Sequence, residues 1–259
     1  MKACSTATLR PIAGRAISRH DPQMTDTSGA SPGQSPQRPA DRQPIINAPL
    51  LVVLMAGLLV ALHALVTFSS DEMWSQVMWD YAVVPGRFWA QTGSQDVYPD
   101  HFSGLITLLS SGLLHADWMH VMVNSLMLLA FGTPVARVLG DDARGWAMWM
   151  LLFVGSVAAG SGLYLILADA NSPFLIGASG GTSGLMAAAF LTDPWGARRP
   201  LWAREFLGFS AVFALVNLML VLVGPYIFGA GISWEAHLGG YVAGALIMSA
   251  LPVKGRNGL

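Results

Sequence analysis

Five apolar runs of membrane-spanning length constrain this chain more than any other feature. They cover residues 50–68, 118–138, 146–168, 206–228 and 234–251. A helix needs about 20 mainly apolar residues, or roughly 17–25, to cross a hydrocarbon core about 30 Å thick. Within that core each backbone N–H and C=O must be satisfied internally, so such runs become helices. A sixth run, 179–191, is shorter and is ended by Asp193-Pro194. At about 1.5 Å per residue it reaches only about 20 Å. It must start partway into the bilayer, with segment 169–178 dipping in to meet it as a re-entrant loop. The expected fold is an all-α membrane protein, a six-transmembrane-helix bundle whose short fourth helix starts inside the bilayer.

Composition agrees. Charged residues make up 11% of the chain and the mean hydropathy is +0.51, whereas a soluble domain carries about 25% charged residues. A net charge of -1 argues against a nucleic-acid partner. The single cysteine, Cys4, rules out an internal disulfide and a thiolate metal cluster, and no metal or organic cofactor is expected. Residues 1–47 are polar and rich in Ser, Pro, Gly, Gln and Arg, which reads as a disordered cytoplasmic tail. Residues 48–252 form the membrane domain and 253–259 a second cytoplasmic tail. The first twenty residues contain Arg and Ser but no acid. They read as a transit-type targeting segment or as a plain basic tail. Without an apolar core near Met1, a secretory signal peptide is not expected.

Basic residues set the orientation. With six spans, Lys2, Arg10, Arg15, Arg19, Arg38 and Arg42 of the tail lie on the same side as Arg137, Arg144, Arg198, Arg199, Arg204, Lys254 and Arg256. Only Arg87, in the long loop 69–105, falls on the other side. Both termini are therefore expected in the cytoplasm. This suits a bacterial inner membrane, with an organellar membrane as the alternative. The loop also carries Trp74, Met78, Trp79, Tyr81, Phe88 and Trp89, a density of aromatics that favours a segment lying in the lipid interface.

Polar residues gather near the outer ends of three helices that enter from the same side. The second span holds His120 and Asn124, preceded by His115; the fourth opens at Ser179; the sixth holds His237, followed by Gly239, Gly240 and Gly244. His120 and Asn124 are four apart and share a face, as do His237, Gly240 and Gly244 at i, i+3 and i+7. Gly240-x-x-x-Gly244 is a small-xxx-small pattern that permits close helix approach, and Gly184 with Ala187 and Ala188 offers a matching surface. Ser179 lies in the turn Gly177-Ala178-Ser179-Gly180-Gly181. A serine hydroxyl needs an adjacent base to act as a nucleophile, and histidine titrates near neutrality. The free N–H groups of a helix start favour an oxyanion, to which His120 and Asn124 add donors. Ser183, in Gly181-Thr182-Ser183-Gly184, is a rival one turn deeper. His63 and Asn217 read as helix-packing residues. Gly177-Ala178-Ser179-Gly180-Gly181 also matches a hydrolase nucleophile elbow, but that motif needs a preceding strand and membrane helices flank this one.

With His120-x-x-x-Asn124, Gly177-Ala178-Ser179-Gly180 and Ala236-His237-Leu238-Gly239-Gly240-x-x-x-Gly244 in this order, the chain resembles the rhomboid family of intramembrane serine proteases over roughly residues 50–252. The resemblance implies a dyad of Ser179 as nucleophile and His237 as general base and acid. It implies oxyanion stabilisation by His120 and Asn124, with structural support from Gly177, Gly180, Gly240 and Gly244. Transmembrane protein substrates are the implied partners, met within the lipid bilayer. It also makes the first loop a membrane-embedded element and the fifth helix, with Pro225, a substrate gate. Three departures stand out. The Trp-Arg pair common before the second helix is missing from 101–114, with Arg87-Phe88-Trp89 a loose substitute. Ser183 stands where many members place an aromatic that stacks on the histidine. After the second helix, Phe131-Gly132 is kept but Ala136-Arg137 replaces a Glu-Arg-like step. The competing reading is a catalytically inactive rhomboid-like protein that binds membrane clients. A transporter or channel is a third class, disfavoured by spans nearly free of charge and by the lack of an internal repeat.

Overall fold

A computed structural model describes residues 48–90, 97–193, 196–228 and 231–253. The tail expected over 1–47 lies outside the described residues, as does nearly all of the tail expected over 253–259. Among the described residues there are nine α-helices, one 3-10 turn and no strand. They are α1 (Leu50–Thr67), α2 (Asp71–Tyr81), α3 (Pro85–Trp89), α4 (His101–Ser110), α5 (Trp118–Leu139), α6 (Ala143–Leu167), α7 (Ser179–Phe190), α8 (Arg204–Phe228) and α9 (Trp234–Ala250), with the 3-10 turn at Ser111–Leu113.

Capping residues fix several of the starts. Asp100, Asp117 and Asp142 accept from the backbone N–H of Ser103, His120 and Gly145, at 2.7, 2.8 and 2.7 Å. Ser70 does the same for Met73 at 3.2 Å. Each such cap is worth about 1 kcal/mol. The Asp117 cap also sets the register of α5, so His120 sits in its first turn.

Four helices, α1, α5, α6 and α8, are long and apolar enough to cross a membrane, and the chain is a multi-pass membrane protein. The other two expected spans are shorter. α9 has 17 residues and α7 has 12, or about 26 and 18 Å. The short fourth span expected from the sequence corresponds to α7.

The core forms around α7, which packs against α5, α6 and α9. Trp149, fully buried on α6, stacks on Phe153 and donates from Nε1 to the Gly132 carbonyl of α5 at 3.1 Å. Helix α8 is attached differently. Only 11% of its apolar window is buried, against 33–39% for the other three long helices. It leans on the bundle through one stripe: Phe209 stacks on Phe190 of α7, and Phe213 stacks on Tyr241 of α9 at 4.1 Å.

The long first loop is more ordered than the sequence reading allows: it folds into α2, α3 and α4. Helix α2 buries Met78 and exposes Met73, Trp79 and Tyr81, the amphipathic surface expected of an interfacial segment. Arg87 is buried, with its guanidinium over the Tyr98 ring at 3.9 Å and the Trp79 ring at 4.7 Å, and it donates to the Trp79 carbonyl. It anchors the loop from within. An isolated antiparallel bridge then ties the loop to the chain before α7: Val83 N–H donates to the Leu175 carbonyl at 3.2 Å, and Leu175 N–H returns a bond at 2.8 Å.

Candidate active site

The segment leading to Ser179 is clipped in place residue by residue. Leu175 is paired with Val83, and Gly177 N–H donates to the Ser111 carbonyl at 2.9 Å. Gly177 has φ +118°, and a Cβ there would lie 2.7 Å from His120 Nε2. Only glycine combines that backbone with that closeness. Ala178 N–H makes a long 3.5 Å bond to His115 Nε2. Burial, reinforced by the nearby His120 and His63 rings, pushes the His115 imidazole down to about 3. His115 therefore stays neutral and keeps the lone pair that accepts this bond.

Ser179 is the first residue of α7. Ala178, at the N-cap, has no side chain to cap the turn, and the first helical bond is Thr182 N–H to the Ala178 carbonyl at 2.9 Å. The amides at Ser179, Gly180 and Gly181 thus lack intrahelical acceptors and present partial positive charge. Ser179 is half-buried, whereas Ser183 is 6% exposed in the helix interior.

Small residues bring α9 against this turn. A Cβ on Gly240 would strike the Gly180 carbonyl, and one on Gly244 would strike the backbone of Gly184. A Cβ on Gly180 would lie 3.3 Å from the Ala236 carbonyl. Backbone therefore meets backbone at the first turns of α7 and α9, where Ser179 follows Ala178 and His237 follows Ala236. Asn124 is buried beneath the turn, and its Nδ2 donates to the His120 carbonyl at 3.0 Å.

Of the residues singled out in the sequence, His120, Asn124 and the Gly177 turn meet directly, and α9 meets α7 through Gly180, Gly240 and Gly244. The Ser179 hydroxyl and the His237 ring are not hydrogen-bonded to each other among the described residues. His63 packs as expected, edge-on to Trp118 at 4.8 Å. Asn217, read as a packing residue, instead places Oδ1 2.6 Å from His237 Nδ1. A signal for it exists in the sequence: Ser210 and Asn217 lie seven apart on one face of an apolar helix. Among the described residues no three His, Cys, Asp or Glu side chains converge as a metal site.

Fold and site together define a helical membrane protein with a serine-bearing turn packed among histidines in its interior. The model of the Rhomboid domain matches residues 103–252, and the chain belongs to the rhomboid family. It is similar to an uncharacterized protein of Mycobacterium bovis, 31% identical over 174 residues, which cover 62% of this chain and 66% of the relative. It is also similar to RHOMBOID-like protein 12, mitochondrial, of Arabidopsis thaliana, 29% identical over 59% of this chain and 48% of the relative. A third relative is Inactive rhomboid-related protein 2 of Caenorhabditis elegans, 30% identical over 56% of this chain and 40% of the relative. The matched region thus spans just under two thirds of the mycobacterial relative and less than half of the other two.

Proposed function

We propose that this protein is an intramembrane serine endopeptidase that cleaves transmembrane segments of other membrane proteins. The observation that carries the reading is the glycine-mediated contact of α7 with α9 at Gly180 and Gly240, which brings the helix turns bearing Ser179 and His237 together. Ser179 Oγ attacks the scissile carbonyl carbon while His237 Nε2 takes its proton. The oxyanion is held by His120, Asn124 and the Ser179 backbone N–H, donors worth about 100- to 1,000-fold each in rate at such sites. As the C–N bond breaks, Nε2 returns the proton to the leaving amine, and water then releases the acyl group. Because α7 is short, the bond is cut partway into the bilayer, within a bundle of six spans whose termini both face the cytoplasm, in a bacterial inner membrane or, as the alternative, an organellar one.

The competing reading, a catalytically inactive client-binding protein, is favoured by similarity to a relative whose name calls it inactive. The presence of both Ser179 and His237, on turns that Gly180 and Gly240 bring together, supports the active reading. Purified protein incubated with a helical transmembrane reporter separates the two. Cleavage is expected from wild type and from Ser183→Ala, and none from Ser179→Ala or His237→Ala. Cleavage persisting in Ser179→Ala, or none in wild type, would reverse the assignment.

A further inference from the structure

His237 is engaged through the ring nitrogen that the proposed chemistry does not use. Its Nδ1 lies 2.6 Å from Asn217 Oδ1. The surroundings of Asn217 decide which atom donates. Asn217 Nδ2 donates to the Phe213 carbonyl at 2.9 Å, and a carbonyl can only accept. The amide oxygen must therefore face His237, and His237 Nδ1 must carry the proton. A neutral imidazole protonated on Nδ1 has its lone pair on Nε2, which is the form a general base acting through Nε2 requires.

From this geometry we propose that Asn217 is a positioning residue: from α8 it holds His237 in the Nδ1–H tautomer and fixes the ring's orientation. This rests on the Ser179–His237 reading above. The contact is part of a built interface. Phe206, Ser210, Phe213 and Asn217 follow one another at four, three and four residues, a single face of α8. Ser210 Oγ meets Tyr241 OH at 2.8 Å, Phe213 stacks on Tyr241, and Asn217 meets His237 one turn nearer the start of α9. Around this stripe α8 exposes Leu215, Val216, Leu218 and Met219, so its polar groups fall where α9 offers a polar partner. An apolar cavity of about 340 Å³ lies beside the pair, lined by Phe213, Leu218, Val221, Trp234 and Leu238. Those side chains offer Nδ1 no rival acceptor, and an apolar surround strengthens the bond that is made. Among the described residues no aromatic ring stacks on His237, so its orientation falls to the Asn217 bond from α8.

The test compares wild type, Asn217→Leu and Asn217→Asp as full-length protein in nanodiscs. Histidine tautomers are read by long-range 1H–15N NMR, with the His237 signal assigned by its loss in His237→Gln. Wild type is expected in the Nδ1–H form and Asn217→Leu as a mixture. Asn217→Asp, which keeps an acceptor, is expected to recover the Nδ1–H form. On the reporter, Asn217→Leu is expected to lower kcat about 10- to 100-fold, a share of what a general base contributes. KM and melting temperature are expected to stay unchanged. An Asn217→Leu protein that keeps the pure Nδ1–H tautomer would overturn the proposal. So would a loss of kcat tracked by a lower melting temperature and not restored by Asn217→Asp, since packing alone would explain it. The NMR arm runs equally in the Ser179→Ala background, so it decides the role of Asn217 even where no variant cleaves the reporter.

Discussion

At the scale of single residues, Gly177 is the most constrained position in the nucleophile turn. Its φ of +118° costs an ordinary L-residue about 1–2 kcal/mol, and any side chain meets His120. Gly177→Ala is therefore expected to reduce reporter turnover by about tenfold or more, since displacing a positioned group by about 1 Å can cost as much as 100-fold. Gly57, which has nothing within 4 Å of a built Cβ, serves as control: Gly57→Ala is expected to leave turnover unchanged. Unaltered turnover in Gly177→Ala would mean that His120 has no part in the reaction. The candidate residues Ser179, His120, Asn124 and His237 stand out in the sequence because each sits in a short motif with helical spacing. Asn217 stands out less: its spacing from Ser210 marks a polar face, but nothing in the sequence names its partner, which lies 20 residues away on another helix. Arg87 is likewise hidden: its cage of Trp79 and Tyr98 exists only once the loop has folded.

At the scale of elements, α7 and α9 form one unit whose contact is backbone on backbone. Gly244→Val is expected to force the helices apart, at a cost of about 1–3 kcal/mol as for other overpacked cores, read as a lower melting temperature in detergent. Gly208→Ala on α8, with open space around it, is expected to hold or raise the melting temperature, because alanine is the better helix former. Equal melting temperatures for wild type and Gly244→Val would show that the two helices are not in register at that glycine. The small-xxx-small pattern makes this contact legible beforehand, as run length does the short α7. The helices α2 to α4 are not, since segments of 5 to 11 residues with mixed aromatic and polar character carry too few periods to mark them. The loose hold of the bundle on α8 is equally invisible, because an apolar run looks alike whether it faces lipid or protein.

At the scale of the whole molecule, the distribution of basic residues predicts an orientation that one cysteine can report. Cys4 is unique in the chain. In intact bacterial cells expressing the protein, a membrane-impermeant maleimide is expected to leave Cys4 unlabelled until the cells are permeabilised. Asn171→Cys, in the exposed loop before α7 and in a Cys4→Ser background, is expected to label at once. The reverse pattern would invert the topology and place the serine turn near the other face. In the proposed reaction Ser179, activated by His237, is the nucleophile. The most direct measurement is mass-spectrometric mapping of the adduct formed by a fluorophosphonate with the intact protein. A single adduct on Ser179, absent from His237→Ala, is expected. An adduct on Ser183, or labelling of Ser179 that is indifferent to His237, would contradict it.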